Sequence, residues 1–240
     1  MNGASQDMEI RLRDDGLAIR TDRDGYWFGN EVLELVAAMG HRTWNRAVDL
    51  GCGDGVIALL LARRGLAREI WAVDIDDDHC RRAAVNIDTH GLTGMIRVFR
   101  RDIRQLRGML QKSSVDLITA NPPFFPLDRD FLPVSESETH ARQEVNGNLR
   151  IFLHAADYLA SRRADLFMIY HPGRLDVLFY ELQLTRFRCK SLRILHHRDG
   201  RALFVICHAA NHGKPGMQIE PPITMADSIK TSMKESHHGD

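Results

Sequence analysis

The sequence predicts an α/β protein with a doubly wound, mostly parallel sheet of seven strands that ends in an antiparallel hairpin. Two observations predict this class. From Ala47 to Leu184, apolar runs of strand length alternate with helical patterns, which is typical of strand-helix-strand units. Near the carboxyl end, strands Ser191–His196 and Ala202–His208 flank Asp199-Gly200, a dipeptide favoured in tight turns between antiparallel strands.

The first elements lead into this sheet. We expect a short strand around 17–19, a turn at 24–29 and an amphipathic helix from Asn30 to Ala38. The first core strand, Ala47 to Leu50, is short and apolar, and it runs directly into a glycine-dense turn.

The later elements alternate between the two kinds of pattern. They are helix 57–64, strand 69–74, helix 77–87, strand 96–99, strand 115–120, helix 149–159, strand 164–170 and helix 172–184. Between strand 115–120 and helix 149–159, the charged segment 126–144 has no periodicity, and loops of such length are usually functional. We expect one domain over residues 1–230 and a disordered tail over 231–240.

The turn after the first core strand is predicted to bind a cofactor. Glycines at 51, 53 and 55 allow positive φ and let a ligand approach the backbone. The dinucleotide fingerprint would need a third glycine where Val56 stands, so a nicotinamide oxidoreductase is disfavoured. Asp54 would repel a pyrophosphate, but it suits a cofactor with a cationic amino acid end. These features favour S-adenosylmethionine, and the alternative is a tight structural turn.

Acidic residues follow the next two strands. Asp74 ends the second strand, where a carboxylate can accept hydrogen bonds from ribose hydroxyls. Asp76, Asp77 and Asp78 are expected to begin the following helix. Asp102 follows the third strand and is expected either to bind the adenine amine of the cofactor or to cap a helix.

The fourth strand ends in Asn121-Pro122-Pro123-Phe124, and this tetrapeptide is the most informative segment of the chain. Each proline fixes its own φ and keeps the preceding residue extended. The Asn121 side-chain carbonyl and the Pro122 backbone carbonyl thereby become two fixed acceptors beside an aromatic ring. Such a corner suits a flat group that carries an exocyclic NH2, although a Pro-Pro corner can also simply end a strand.

Composition favours a single enzyme domain that stays in the cytoplasm. The 240 residues carry 32 basic and 32 acidic side chains, so net charge alone does not indicate a nucleic-acid partner. No apolar run is long enough to span a bilayer, and the start of the chain does not resemble a secretory signal. The four cysteines are expected to be reduced and, like the histidines, lack the spacing of metal ligands.

Two groups of basic residues depart from this neutral average. One surrounds the third strand, and the other lies in the last strands from Arg186 to Arg201. Each could be a solvated face or a face that contacts phosphates.

The motifs together resemble the class I S-adenosylmethionine-dependent methyltransferases, and among them the bacterial tRNA(Val) adenine-37 N6-methyltransferases. The likeness spans about residues 16–224 and includes the glycine turn and Asn121 to Phe124. It also includes the segments 25–28, 140–145, 171–175, 213–216 and 221–223. Departures are Glu31, where that family usually has aspartate, and segment 224–227, where it usually carries a tyrosine.

The resemblance implies methyl transfer to N6 of an adenine in a tRNA anticodon loop, with no metal. It implies cofactor-binding residues Asp49, Gly51, Gly53, Asp54, Gly55, Asp74, Ile75, Asp102 and Asn121. It implies catalytic residues Asn121, Pro122 and Phe124, and substrate-binding residues Tyr26, Pro123, Phe124 and Arg142. Guanine-N2 methylation of RNA and N5 methylation of a protein glutamine remain alternatives. Guanine also carries an exocyclic NH2 group, and glutamine carries an amide NH2 group.

Overall fold

The computed structural model describes residues 7–12, 16–22, 29–122 and 149–225. The strands are β1 (Asp7–Arg11), β2 (Ala18–Asp22), β3 (Trp44–Leu50), β4 (Ala67–Asp74), β5 (Ile96–Arg100), β6 (Val115–Ala120), β7 (Ala160–Tyr170), β8 (Phe187–His196), β9 (Ala202–Asn211), β10 (Gln218–Ile219) and β11 (Ile223–Thr224). The helices are α1 (Glu31–Ala37), α2 (Val56–Arg63), α3 (Asp77–Thr89), α4 (149–159) and α5 (Leu175–Gln183).

The central sheet has the strand order β10-β8-β9-β7-β6-β3-β4-β5, and β11 also pairs with β8. Strands β3 to β7 are parallel, whereas β9 is antiparallel to both β7 and β8. The expected fold is therefore confirmed: strands β3 to β9 form a mostly parallel sheet of seven strands that ends in an antiparallel hairpin.

Two short strands were not expected from the sequence. Both β10 and β11 pair in parallel with β8, and Pro221-Pro222 lies between them. Prolines carry no backbone N–H, so this edge cannot continue as one uninterrupted ladder. Strands of two residues leave no alternation in the sequence by which they could be recognised.

Strands β7 and β8 begin earlier than the apolar runs indicated, at Ala160 and Phe187 instead of 164 and 191. In β7 the added residues include the exposed Arg162 and Arg163. Charged side chains at a strand end interrupt the hydrophobic signal, although the backbone continues to pair.

The amino-terminal residues form a hairpin instead of a single strand, with Ile10 of β1 opposite Ile19 of β2. Helix α3 holds this hairpin through side chains on one face. Asn86 accepts from the Arg20 N–H at 2.8 Å and donates to the Arg20 carbonyl at 2.9 Å, and His90 Nε2 lies 2.8 Å from the Ala18 carbonyl. The hairpin is thus docked on the helix that follows β4.

Helices cover both faces of the sheet, as a doubly wound fold requires. One apolar cluster contains α1, α2 and Ile87 of α3, and the other contains α4 and α5. Neighbouring residues of one strand enter opposite clusters, as Ala47 and Val48 do, because side chains alternate along a strand. The strand order reverses between β3 and β6, and the carboxyl ends of strands at such a reversal form a crevice for ligands.

Among the described residues, no helix has the length and apolar character needed to cross a membrane. The same part of the chain holds no group of three or more His, Cys, Asp or Glu side chains arranged for a metal ion. The expected long loop 126–144 and the expected tail 231–240 lie outside the described residues.

Candidate active site

The crevice at the carboxyl ends of β3, β4 and β6 contains a cavity of about 490 Å³. The registers of these strands bring its walls together, because Leu50 lies opposite both Val73 of β4 and Ala120 of β6. Seven residues that the sequence indicated line this cavity: Gly51, Gly53, Asp54, Asp74, Ile75, Asp102 and Asn121.

The glycine turn needs its glycines for two physical reasons. Gly51, Gly53 and Gly55 all have positive φ, at 70°, 53° and 84°. A Cβ at Gly51 would lie 3.1 Å from the Phe152 ring, and one at Gly55 would lie 3.2 Å from the Ala83 Cβ. At Gly53 the nearest atom would be His79 Nδ1 at 4.0 Å, so this glycine leaves room on the cavity side.

Asp74 is fixed by backbone groups at the end of β4. Its two carboxylate oxygens accept from the Gly53 N–H at 2.8 Å and the Asp76 N–H at 2.9 Å. A carboxylate has about four acceptor sites, so Asp74 can accept further hydrogen bonds from a ligand in the cavity. Ile75, the next residue, is 62 % exposed at the rim and offers an apolar surface there.

Asp54 lies in the cavity wall, but its carboxylate already has protein partners. Thr21 Oγ1 donates to it at 2.6 Å, and His79 Nδ1 and Arg82 Nε each lie 2.8 Å from it. Burial alone would raise the pKa of Asp54, but the hydrogen bonds from His79, Thr21 and Arg82 outweigh burial and lower it. The hydrogen bond to Asp54 in turn raises the pKa of His79, against the effect of partial burial. Asp54 therefore anchors the turn to the hairpin and to α3.

Asp49 lies near the end of β3, before the glycine turn, and is not among the residues that line the cavity. It is completely buried, and Thr119 Oγ1 donates to its Oδ1 at 2.8 Å. Its Oδ2 has no hydrogen-bond partner among the described residues. Burial is the largest cause that raises the pKa of Asp49 to about 7; the Thr119 hydrogen bond opposes this rise and the charge of Asp74 adds to it.

Asn121 follows β6 and lines the cavity; β6 and β4, the strand that ends in Asp74, pair with opposite edges of β3. The Asn121 Oδ1 is buried and has no hydrogen-bond partner within the described part of the chain. An unpartnered buried carbonyl is costly, by about 1–3 kcal/mol, unless a ligand donates to it. The geometry therefore favours a guest with an N–H or NH2 group at this position.

Asp102 takes the capping role, one of the two roles that the sequence left open, while binding of the adenine amine stays a prediction. It caps a short 3-10 turn, Ile103–Gln105, by accepting from the Arg104 N–H at 2.9 Å. Its side chain also lines the cavity and pairs with the Arg104 guanidinium. Pro122 is buried next to Asn121, whereas Tyr26, Pro123, Phe124 and Arg142 lie outside the described residues.

Sequence reasoning missed several cavity residues. His79 stands in the first turn of α3, and Phe152 reaches the site from α4, about 100 residues along the chain from Gly51. A helical position predicted for Phe152 carries no information about which glycine it approaches. The acidic residues before His79 indicated the start of a helix. Because β4 ends with Asp74 just before this helix, the sequence could have indicated that His79 lies near the cavity.

These features define a Rossmann-like methyltransferase class: a seven-stranded sheet with an antiparallel hairpin, a glycine turn after the first core strand, an acid after the second and an asparagine-proline corner after the fourth. Residues 29–160 match the family described as "Methyltransferase small domain". The chain belongs to this family.

Comparisons with individual proteins agree with that membership. Over 175 residues, the chain is 31 % identical to a tRNA1(Val) (adenine(37)-N6)-methyltransferase of Trichodesmium erythraeum, covering 72 % of this chain and 68 % of that protein. Over 108 residues it is 36 % identical to a protein of the same name from Tolumonas auensis, covering 45 % of this chain and 44 % of that protein. The match thus spans less than half the length of the Tolumonas protein.

The fold recurs in solved structures. A predicted O-methyltransferase of Agrobacterium tumefaciens, protein Atu636, superimposes with a TM-score of 0.64 at 15 % sequence identity. The superposition covers 81 % of this chain and 86 % of the other. At this identity the likeness concerns the fold alone.

Proposed function

We propose that the protein transfers a methyl group from S-adenosylmethionine to N6 of an adenine in a tRNA anticodon loop. The observation that carries this proposal is Asn121, a residue of the cavity wall whose buried Oδ1 has no hydrogen-bond partner among the described residues. An acceptor at this place suits an exocyclic amine. The names of the two relatives, which specify N6 of adenine 37 in tRNA1(Val), support the choice of adenine and of tRNA.

The residues that line the cavity offer chemical groups that match those of S-adenosylmethionine. The bare backbone of the glycine turn gives room for its amino acid end, and Asp74 has free acceptor sites for ribose hydroxyls. The exposed Ile75 offers an apolar surface to a flat base, and Asp102 offers a carboxylate to an amine at the rim. When bound, S-adenosylmethionine supplies an electrophilic methyl group.

Asn121 would act on the nucleotide. Its Oδ1 would accept one N6 hydrogen of adenine, and the Pro122 carbonyl would accept the other. Both hydrogen bonds hold the amine in one orientation and raise the electron density on N6 where it faces the methyl group. Most of the rate enhancement would then come from alignment of two bound reactants, since oriented reactions gain about 7–11 kcal/mol in this way.

An adenine in an anticodon loop can also enter such a site more easily than a paired adenine can. A base must leave its stack before an enzyme can hold its edge, and this step costs a few kcal/mol, least for bases that are not paired. Specific recognition of RNA accordingly concentrates on single-stranded loops.

The test is methylation of a tRNA(Val) transcript with labelled S-adenosylmethionine, followed by mass spectrometry of the nucleosides. We expect N6-methyladenosine, and no product from a matched transcript in which guanosine replaces the adenosine at position 37. Methylguanosine would instead assign guanine-N2 methylation. A labelled protein glutamine without any labelled nucleoside would remove RNA from the function.

A further inference from the structure

The cofactor cavity continues into a groove along the outside of α4. A second cavity, of about 340 Å³, shares Arg104 and Ile151 with the cofactor cavity. A third, of about 380 Å³, shares Arg107, His154 and Tyr158 with the second. The three cavities therefore adjoin one another, and the groove leads from the cofactor cavity to the far end of α4.

Six of the residues that line this groove are arginine, lysine or histidine, and we call these six residues the basic track. Its members are Arg104, Arg107, Lys112, Arg150, His154 and Arg186. The whole chain has a formal net charge of zero, whereas five of these six side chains are arginine or lysine.

Three carboxylates accompany the track, and each forms an ion pair with one of its arginines. Asp102 pairs with Arg104, Glu181 with Arg150 at 2.8 Å, and Asp157 with Arg186 at 3.0 Å. These pairs fix the walls of the groove and neutralise three of its five arginine and lysine charges.

The other members have no carboxylate partner among the described residues. The guanidinium of Arg107 lies 5.4 Å from the centre of the Tyr158 ring, and Lys112 and His154 are exposed. Long cations held at a groove without an opposing acid can bind an anion without first breaking an ion pair. The excess charge of the track therefore resides on Arg107 and Lys112.

The basic track is long enough to bind an extended ligand. The exposed face of α4 carries Arg150 and His154, four residues and hence about one turn apart, and Tyr158 follows at the same spacing. The eleven residues of α4 extend about 16 Å at a rise of about 1.5 Å per residue. A single small anion would occupy only one of the three cavities.

We propose that the basic track binds the sugar-phosphate backbone of the RNA strand that flanks the target nucleotide. This proposal rests on the proposed function, because it takes the nucleotide in the active site to be part of an RNA. A polyanionic strand matches the charge and length of the track, and the groove joins the cavity where the target base would react. Phosphate contacts position a nucleic acid without reading its sequence, so the track would set affinity and orientation instead of base choice.

The test compares Arg107→Gln/Lys112→Gln with a matched control, Arg63→Gln/Arg68→Gln. The control removes the same charge from two exposed arginines, Arg63 at the end of α2 and Arg68 at the start of β4. Helix α2 belongs to the apolar cluster on the face of the sheet opposite α4. Binding of a fluorescent tRNA(Val) transcript is measured by anisotropy over a range of salt concentrations. Affinity for S-adenosylhomocysteine is measured by calorimetry, and methyl transfer by label incorporation.

For the track variant we expect RNA binding at least about fivefold weaker and a log–log salt slope reduced by about 1.4, since each single-strand phosphate contact contributes about 0.7. The Michaelis constant for tRNA should rise while kcat and cofactor affinity stay within about twofold. The control should match the wild type. If the Arg107 change impairs folding, Lys112→Glu alone serves as a second variant, because Lys112 contacts no other described side chain through a hydrogen bond or ion pair.

The outcomes separate this proposal from the proposed function. If the wild type methylates tRNA and the track variant binds tRNA as the control does, the track proposal is wrong and the function stands. If the wild type binds RNA through the track but leaves every nucleoside unmethylated, the function is wrong and the track stands. A wild type that neither binds nor methylates RNA overturns both.

Discussion

Arg82 of α3 donates a hydrogen bond to Asp54 of the glycine turn at 2.8 Å, and their side chains are only 8 % and 5 % exposed. Thr21 of β2 donates to the other carboxylate oxygen of Asp54 at 2.6 Å. Asn86 of α3 adds a bond from its Nδ2 to the Asp54 carbonyl at 2.9 Å. One residue of the turn thus joins α3 and the amino-terminal hairpin, and the conformation of the cofactor turn depends on both.

Loss of the arginine should destabilise the fold strongly. Arg82→Ala leaves Asp54 buried without its cationic partner, and breaking such a pair typically costs about 3–5 kcal/mol. We expect a fall of about 3 kcal/mol in the free energy of unfolding, because His79 and Thr21 still bind the carboxylate. Urea denaturation followed by circular dichroism measures this change.

Arg81→Ala is the matched control for this prediction. Arg81 is the neighbouring residue of the same helix, 68 % exposed, and its ion pairs with Asp77 and Asp78 lie at the surface. Such pairs contribute about 0–1 kcal/mol. Equal losses of stability in the two variants would show that the buried pair has no special weight.

The role of Asp54 shows where sequence reasoning ends. Its position in a glycine turn indicated a cofactor contact, whereas the structure adds three partners that lie 25 to 33 residues away in the chain. Such partners leave no local pattern, because they depend on how α3 and the hairpin pack. In contrast, the meeting of Gly51, Asp74 and Asn121 was predictable, since carboxyl ends of parallel strands share one edge of a sheet.

The buried Asp49 should make stability depend on pH. Its pKa is raised from 3.8 to about 7, first by burial, so folding favours the protonated form. The contribution of this residue to the free energy of unfolding should fall as pH rises from about 4 to about 7. Asp49→Asn cannot ionise and can still accept from Thr119, so its stability relative to the wild type should increase across this window.

Chemical denaturation at several pH values between about 4 and 8 measures this difference. Asp88→Asn, a change at an exposed position of α3, serves as the control and should follow the wild-type profile. A constant difference between Asp49→Asn and the wild type at every pH would contradict a raised pKa at this site.

Cofactor affinity should depend on the charge of Asp74. Asp74→Asn keeps an oxygen at the end of β4 but loses the charge and one of the two acceptors that hold the Gly53 and Asp76 amides. Hydrogen bonds to charged groups contribute about 1.5–3 kcal/mol, and about 1.4 kcal/mol corresponds to tenfold in affinity. Calorimetry with S-adenosylhomocysteine should therefore show binding at least about tenfold weaker. Asp78→Asn, which alters an exposed acid outside the cavity, should bind S-adenosylhomocysteine as the wild type does.

Unchanged affinity in folded Asp74→Asn would contradict the assignment of Asp74 to the cofactor.

Asn121 should act on the methyl acceptor more than on the cofactor. Asn121→Ala removes the buried Oδ1 that is unpartnered among the described residues, and with it one of the two groups proposed to align the amine. We expect kcat to fall by more than about tenfold, equivalent to about 1.4 kcal/mol of transition-state stabilisation, while the affinity for S-adenosylhomocysteine changes by no more than a few-fold. Single-turnover transfer to tRNA, measured beside calorimetry on the same preparation, separates the two effects.

Asn121→Asp is the informative companion, because it keeps an acceptor at nearly the same place but adds a charge. If Asn121→Ala retains more than about a tenth of the wild-type rate, the amide does not align the reacting nitrogen. If cofactor affinity falls in parallel with the rate, Asn121 serves the cofactor, and its Oδ1 must be assigned to that ligand instead of the nucleotide.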